Sequence, residues 1–357
     1  MSRKIVHIVG TGTIGEPLIG LFCDFKEELG IDEVTFHKNT PLTTDRSKVK
    51  SLFRRGARLA ARADRMDGFR ALDIKPEFET EEAIDRASVV IDCTPSGIGQ
   101  KNKSEFYEKY LHNTTGFIAQ GSEFGFGKMY ARGINDEVLS PEEDRFIQVV
   151  SCNTHNLSVI IKTLGIDDEP EGNLVSGRFV VIRRANDVSQ ASGFIPSPQV
   201  GSHKDDQYGT HHARDAALLF QTKGLDLDLF SSVIKVNTQY MHVLQFHLQV
   251  NTPTTLPRII AKLDANDRIA TTDKIDACEV FSFGRDHGHY GRILNQTVVA
   301  IKSLHVSKNG KDITGFCFTP QDGNSLLSSI AATEWFLYPK SYESKIQYLK
   351  PYLFDEV

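Results

Sequence analysis

Six residues near the start of the chain constrain its fold more than any others: Gly10-Thr11-Gly12-Thr13-Ile14-Gly15. They follow an apolar stretch, Lys4–Val9, that reads as a strand. They precede Leu18–Leu29, a helical pattern with Gly30 as its stop. Glycines in this spacing, between a strand and a helix, have separate tasks. The first permits a tight turn, the second lets backbone N–H groups approach a pyrophosphate, and the third lets helix and strand pack closely. The helix N-terminus adds partial positive charge for the anion. Gly10, Gly12, Thr13, Ile14 and Gly15 are therefore the expected contacts to a dinucleotide. A glycine turn without a ligand is the plainer alternative, and the order strand, loop, helix argues against it.

The same rhythm continues. Val34–Phe36 reads as a second strand and Ser47–Arg62 as a basic helix. Ser88–Cys93 is a third strand, ended by Thr94-Pro95-Ser96-Gly97. Gly116–Ala119 is a fourth, ended by Gln120-Gly121, and Phe146–Ser151 a fifth. Strands alternating with helices predict a parallel sheet covered on both faces. After Cys152 the pattern changes. Thr154–Leu164 reads as a helix with Gly165 as its C-cap. Longer β-rich stretches follow at Arg178–Arg184, Ser232–Asn237, Val243–Val250, Thr297–Ile301 and Gly315–Phe318, with a helix at Leu256–Leu263. Ser325–Leu337 has the spacing of one long helix. A chain of 357 residues is too long for one core. The expected fold is α/β: a Rossmann-type dinucleotide-binding domain over 1–151, an α+β catalytic domain with a mainly antiparallel sheet over 152–321, and a C-terminal helical segment over 322–357.

Composition excludes several partners. The net charge is -5, and no Lys/Arg block offers a nucleic acid its counter-charge. The short N-terminal apolar run leads straight into the glycine loop, unlike a leader peptide. No apolar run is long enough to cross a bilayer. Five cysteines, widely spaced and without a CxxC pair, argue against a disulfide framework or a zinc site, so no metal is expected. A cytoplasmic protein is the expectation.

Two residues carry the chemistry. Cys152 lies in Val149-Val150-Ser151-Cys152-Asn153-Thr154, where a strand gives way to a helix. There the helix dipole is expected to lower the thiol pKa, and a thiolate attacks carbonyl carbon well. A small buried hydrophobe is the usual alternative for a lone cysteine, and Cys23 and Cys93, inside apolar runs, fit it. Lys38 follows the second strand, where an acid would select NAD. A lysine there suits the extra phosphate of NADP, the expected cofactor, and a solvated surface lysine is the plainer alternative.

Taken together, these segments resemble the archaeal-type (type II) glyceraldehyde-3-phosphate dehydrogenases. The matching patches are the Gly10–Gly15 loop, Asp92–Gly99, Gln120-Gly121, Val149–Thr154, Arg183-Arg184-Ala185, His211–Asp215 and Tyr240-Met241-His242. The resemblance implies a homotetramer using NADP, or both nicotinamide cofactors. It adds Thr94, Pro95, Gly97, Gln120, Gly121 and Asn324 as cofactor contacts, and makes Cys152 the nucleophile with His242 as catalytic histidine. Asn153, Thr154, Arg183, Arg184, His211 and His212 would handle a phosphorylated aldehyde and inorganic phosphate. Read without the resemblance, His242 could be a core or surface histidine, His211-His212 a polar loop, and only one of the two arginines need face the site.

The sequence departs from the family at His155 and Asn156, in the first turn of the cysteine's helix, and in a longer stretch over Gly201–Tyr208. Both bear on the substrate. The implied activity is oxidation of glyceraldehyde 3-phosphate through a Cys152 hemithioacetal and thioester, released by phosphate. One alternative keeps the thioester but reduces an acyl-CoA or acyl phosphate to a semialdehyde. Another is a catalytically silent dinucleotide-binding regulator.

Overall fold

In the computed structural model, residues 3–121, 123–166, 173–187, 193–320 and 322–357 are described. The chain divides into two compact units. One comprises Met1–Lys128, Leu139–Val149 and Ser328–Lys350, the other Met129–Val138, Val150–Leu327 and Pro351–Val357.

The first unit grows from short strands with no exposed face. β1 (Ile5–Val9), β2 (Glu33–His37), β5 (Val89–Asp92) and β6 (Gly116–Gln120) are buried at every position. That explains their unbroken apolar runs, since a parallel sheet is covered on both sides. With β3 (Arg58–Ala61), β4 (Phe78–Glu79) and β8 (Phe146–Val149) they form the order β4-β3-β2-β1-β5-β6-β8. Every described register among them is parallel. β7 (Lys128–Tyr130) spans the division between the units. The order reverses between β1 and β5, and ligands of open α/β sheets bind at such a switch point. Gly10 follows β1 there and lies against the Cys93 carbonyl that follows β5, which a Cβ on Gly10 would approach to 3.0 Å. Within this unit, Ser329 accepts a hydrogen bond from Gln120, and Tyr338 donates one to the Gly30 carbonyl.

The second unit is a mixed sheet, mainly antiparallel. β9 (Leu174–Arg183), β12 (His242–Val250) and β16 (Asp312–Thr319) form its centre. β10 (Gln199–Val200), β11 (Leu229–Lys235), β13 (Ile269–Thr272) and β14 (Thr297–Ala300) complete the order β10-β11-β9-β12-β16-β14-β13, with β15 (His305–Val306) on β16. Among the described residues, only β11–β9 and β13–β14 are parallel pairs in this sheet. The expected fold class therefore holds.

Three segments differ from expectation. The basic helix ends at Arg54, and Gly56 at φ +96° turns the chain into β3. The helix after Ser151 begins at Cys152 and ends at Ile160, and Gly165 lies in a π-helical turn over Ile161–Ile166 rather than capping it. His211 and His212 open a helix, His211–Gln221, rather than lying in a loop. Among the described residues, no helix is long and apolar enough to cross a membrane.

Candidate functional site

The first unit carries the glycine loop. Gly15 opens the helix Gly15–Asp24, which no side chain caps. A Cβ on Gly15 would lie 2.2 Å from the Gly10 carbonyl oxygen, so loop and helix touch backbone to backbone. Gly12 faces open space, with no atom within 4 Å of where its Cβ would stand. An uncapped helix end beside that opening fits a pyrophosphate.

Lys38 follows β2, where its Nζ pairs with Asp45 Oδ2 at 2.5 Å. A second lysine, not singled out in the sequence, joins it. Lys48 Nζ donates to the Thr11 carbonyl at 3.2 Å and lies 3.3 Å from Glu16 and 4.0 Å from Asp45. Two lysines and two carboxylates thus surround the start of the loop. Lys48 escaped notice because it reaches the loop from the next helix.

The turn after β5 is organised by Asp92. It accepts from the Thr94 backbone at 2.9 Å and from the Thr94 hydroxyl, and on its other oxygen from Asn102 and Tyr107. Gly97 sits at φ +85° with open space above it, as does Gly121 at φ +62°. Pro95 lies in the same turn, its carbonyl accepting from Ile98 at 3.1 Å. Glu123, also missed in the sequence, accepts from the backbone N–H groups of Gly97 and Gln100. The start of the helix Ile98–Glu105 is therefore already served by a carboxylate.

The second unit carries Cys152 and its neighbours. Alternation along β12 buries His242 with Leu244, Phe246, Leu248 and Val250. The register pairs His242 with Thr319 of β16. It also pairs Val243 with Ile182, which sets Arg183 opposite His242. Residues directly opposite share a face. One row across the sheet therefore carries Thr319, His242 and Arg183.

Cys152 is the first residue of the helix Cys152–Ile160 and is half-buried. Ser151 caps that helix by accepting from the Thr154 N–H at 3.3 Å, and its hydroxyl meets the Thr154 hydroxyl at 2.9 Å. Asn153 Oδ1 accepts from Thr319 at 3.1 Å. Asn324, fully buried, donates to the Cys152 carbonyl at 2.9 Å and to the Gln296 carbonyl at 3.1 Å. The Asn324 amide thus anchors the backbone of Cys152.

The two departures from the family pattern point inward. His155 Nδ1 donates to the Ser151 carbonyl at 3.0 Å, and burial lowers its pKa to about 4. Asn156 donates to Thr319 at 2.7 Å and accepts from the Cys317 thiol at 3.2 Å. Both side chains are buried.

The expected lowering of the Cys152 pKa is not met. Burial pushes the thiol up to about 12 and the Asp322 carboxylate adds to the rise, while the Arg184 guanidinium opposes it. Burial thus outweighs both that guanidinium and the Asn153 backbone N–H at the start of the helix, which also favours the thiolate. His242 is displaced the other way, to about 3, by burial first and then by Arg184 and Arg183. It is therefore neutral at pH 7. Its Nδ1 accepts the backbone N–H of Arg184 at 3.2 Å. A backbone N–H can only donate, so the ring proton sits on Nε2.

Both arginines influence this neighbourhood. Arg184 is buried, donating to the Tyr240 carbonyl at 3.1 Å and to Asp187 at 3.2 Å. Tyr240 presents that carbonyl from a left-handed backbone, φ +80°. Arg183 acts on His211 and His212, whose rings lie 3.9 Å apart. His212 is buried, and neither of its ring nitrogens has a described hydrogen-bond partner. Burial and the adjacent positive charges hold its pKa well below the ordinary value.

No family model matches the chain. Curated relatives do. The chain is 29% identical over 276 residues to the glyceraldehyde-3-phosphate dehydrogenase of Methanobacterium formicicum, covering 74% of this chain and 73% of the relative. It is 26% identical over 323 residues to that of Hyperthermus butylicus, covering 88% and 86%. For that of Pyrobaculum islandicum the figures are 23% over 279 residues, 75% and 72%. The resemblance read from separate motifs thus extends over most of the chain.

Proposed function

We propose, from the premise that this chain is a relative of the archaeal glyceraldehyde-3-phosphate dehydrogenases, that it oxidises glyceraldehyde 3-phosphate with phosphate as acceptor. The observation that carries the reading is the company Cys152 keeps. A half-buried thiol at a helix start shares its unit with a neutral histidine, two arginines and a buried histidine without a described hydrogen-bond partner. A lone structural cysteine has no use for such neighbours.

Each residue then has a task. Cys152, as thiolate, attacks the aldehyde carbon and holds it as a hemithioacetal and then a thioester. His242 donates a hydrogen bond through Nε2 to the substrate oxygen, where charge develops. Arg183, with His211 and His212, receives the phosphate groups, since a guanidinium matches phosphate oxygens in pairs. Asn153, Thr154 and Asn324 fix the nucleophile's helix, while Arg184 fixes the ring of His242. When bound, the nicotinamide dinucleotide accepts the hydride. Gly10, Gly12, Thr13, Ile14 and Gly15 would hold its pyrophosphate, and the turns Thr94–Gly97 and Gln120-Gly121 would flank it. Lys38 and Lys48 would meet the 2′-phosphate of NADP, with Asp45 and Glu16 limiting their net charge. The resemblance further implies a homotetramer, and the sparse, unpaired cysteines favour a cytoplasmic location.

The test offers purified protein glyceraldehyde 3-phosphate and phosphate with NADP, then with NAD, and follows absorbance of the reduced cofactor. The expected result is phosphate-dependent turnover with higher kcat/KM for NADP. Turnover only with short acyl-CoAs and NADPH would replace the substrate. A clear NAD preference would remove the assigned role of Lys38.

A further inference from the structure

Asn153 and Asn156 stand three residues apart on the helix Cys152–Ile160 and so share a face. Cys317 and Thr319 stand two apart on β16 and also share a face. Hydrogen bonds lace the two faces into one line. The Cys317 thiol donates to Asn156 Oδ1 at 3.2 Å, Asn156 Nδ2 donates to the Thr319 hydroxyl at 2.7 Å, and that hydroxyl donates to Asn153 Oδ1 at 3.1 Å. All four side chains are buried. Asn156 is one of the two departures from the family pattern.

The line has a direction. A sulfur accepts hydrogen bonds weakly, which favours the orientation in which Asn156 turns its oxygen to Cys317 and its nitrogen to Thr319. A threonine hydroxyl has one proton, so Thr319, accepting from Asn156, donates to Asn153. The consequence falls on Asn153. Its oxygen is taken, and its Nδ2 keeps two protons that no described hydrogen bond uses. An amide that only tied the helix to the sheet would need no such polarity, since either end would serve. This amide also stands beside the reacting groups. Asn153 follows Cys152 directly, and Thr319 pairs across the sheet with His242. His242 carries its ring proton on Nε2, because Nδ1 accepts from Arg184.

We propose that Asn153 is a catalytic residue whose Nδ2 donates to the aldehyde oxygen beside Nε2 of His242, and that Thr319, Asn156 and Cys317 are positioning residues that hold its amide that way round. The proposal rests on the dehydrogenase reading above. When the Cys152 thiolate adds to the carbonyl carbon, the C–S bond forms and an electron pair of the C=O bond moves onto oxygen. That oxygen then meets two N–H donors rather than one, at the moment its charge develops. When hydride passes to the oxidised cofactor, the pair returns and the thioester carbonyl forms.

The experiment follows the first turnover of reduced cofactor after rapid mixing without phosphate, which reads acylation alone. Asn153→Ala should slow that step by roughly 10²–10³, the scale of losing one oxyanion donor. Asn153→Asp keeps the shape but replaces the donor by an acceptor, and should be at least as slow. Thr319→Val keeps the volume and breaks the line, and should slow the step about tenfold through a misplaced donor. Thr319→Ser, which keeps the hydroxyl, should recover most of the rate. Because Thr319 acts through Asn153, adding Thr319→Val to Asn153→Ala should cost less than about twofold more. Losses that multiply in the double variant would make Thr319 a support of the fold and overturn the proposal. So would an undiminished first turnover in Asn153→Ala or Asn153→Asp, or a loss confined to the KM for phosphate. If the wild type ignores glyceraldehyde 3-phosphate but reduces a short acyl-CoA with NADPH, the same variants are compared on that substrate. The same pattern of losses there would retire the substrate reading and leave the paired donors standing. Turnover of neither substrate would sink both.

Discussion

The chain contains two strand-to-helix junctions with opposite construction. At Gly10–Gly15 side chains are stripped away, the helix is uncapped, and the loop opens onto empty space. At Ser151–Thr154 side chains crowd in. Ser151 caps the helix, Asn324 holds the Cys152 carbonyl, and Asn153 reaches Thr319. The first junction leaves a helix terminus open for an external anion. The second gives one of its N–H groups to Ser151 and presents one sulfur. A helix N-terminus does not therefore determine a site's chemistry; what already occupies its N–H groups does.

The comparison breaks most readily at Gly15. Gly15→Ala places a methyl group 2.2 Å from the Gly10 oxygen. It should cost about 3–5 kcal/mol in chemical denaturation, the scale of core overpacking at its worst, and abolish dinucleotide binding. Gly12→Ala meets nothing. It should leave stability within about 0.5 kcal/mol while weakening cofactor affinity, measured by fluorescence titration. Equal losses of stability in the two variants would contradict the description of the loop.

A smaller effect sharpens the other side. Ser151→Ala removes the cap on Thr154 and should cost about 1 kcal/mol. No side chain plays that part at the glycine loop. A loss well under half that value would mean that the cap is ornamental and that the two junctions differ less than described.

Legibility in the sequence follows the same division. The glycine loop could be read because its requirement is steric and local. The strands β1, β5 and β6 could be read because burial on both faces leaves apolar runs. β3 could not. Arg58-Leu59-Ala60-Ala61 are all good helix formers, and the strand is imposed by pairing with β2 and β4. Cys152 stood out by its position, but the field around its sulfur did not. Asp322, whose carboxylate adds to the rise of the thiol, lies 170 residues further along the chain, and only folding brings its charge to bear on Cys152. The orientation of the His242 ring is likewise set by a backbone N–H that only the β9–β12 register brings into reach. Lys48 belongs to the same class, since only the packed helix brings it to Thr11.

The account depends most on a covalent bond to Cys152. Protein mixed with glyceraldehyde 3-phosphate and NADP, but no phosphate, and quenched in acid should yield the acyl adduct on the Cys152 peptide. Reduced cofactor should form to about one per subunit before the reaction stalls, as expected when a covalent intermediate accumulates. Sustained reduction of cofactor with an unmodified Cys152, or an adduct on any of the other four cysteines, would contradict it.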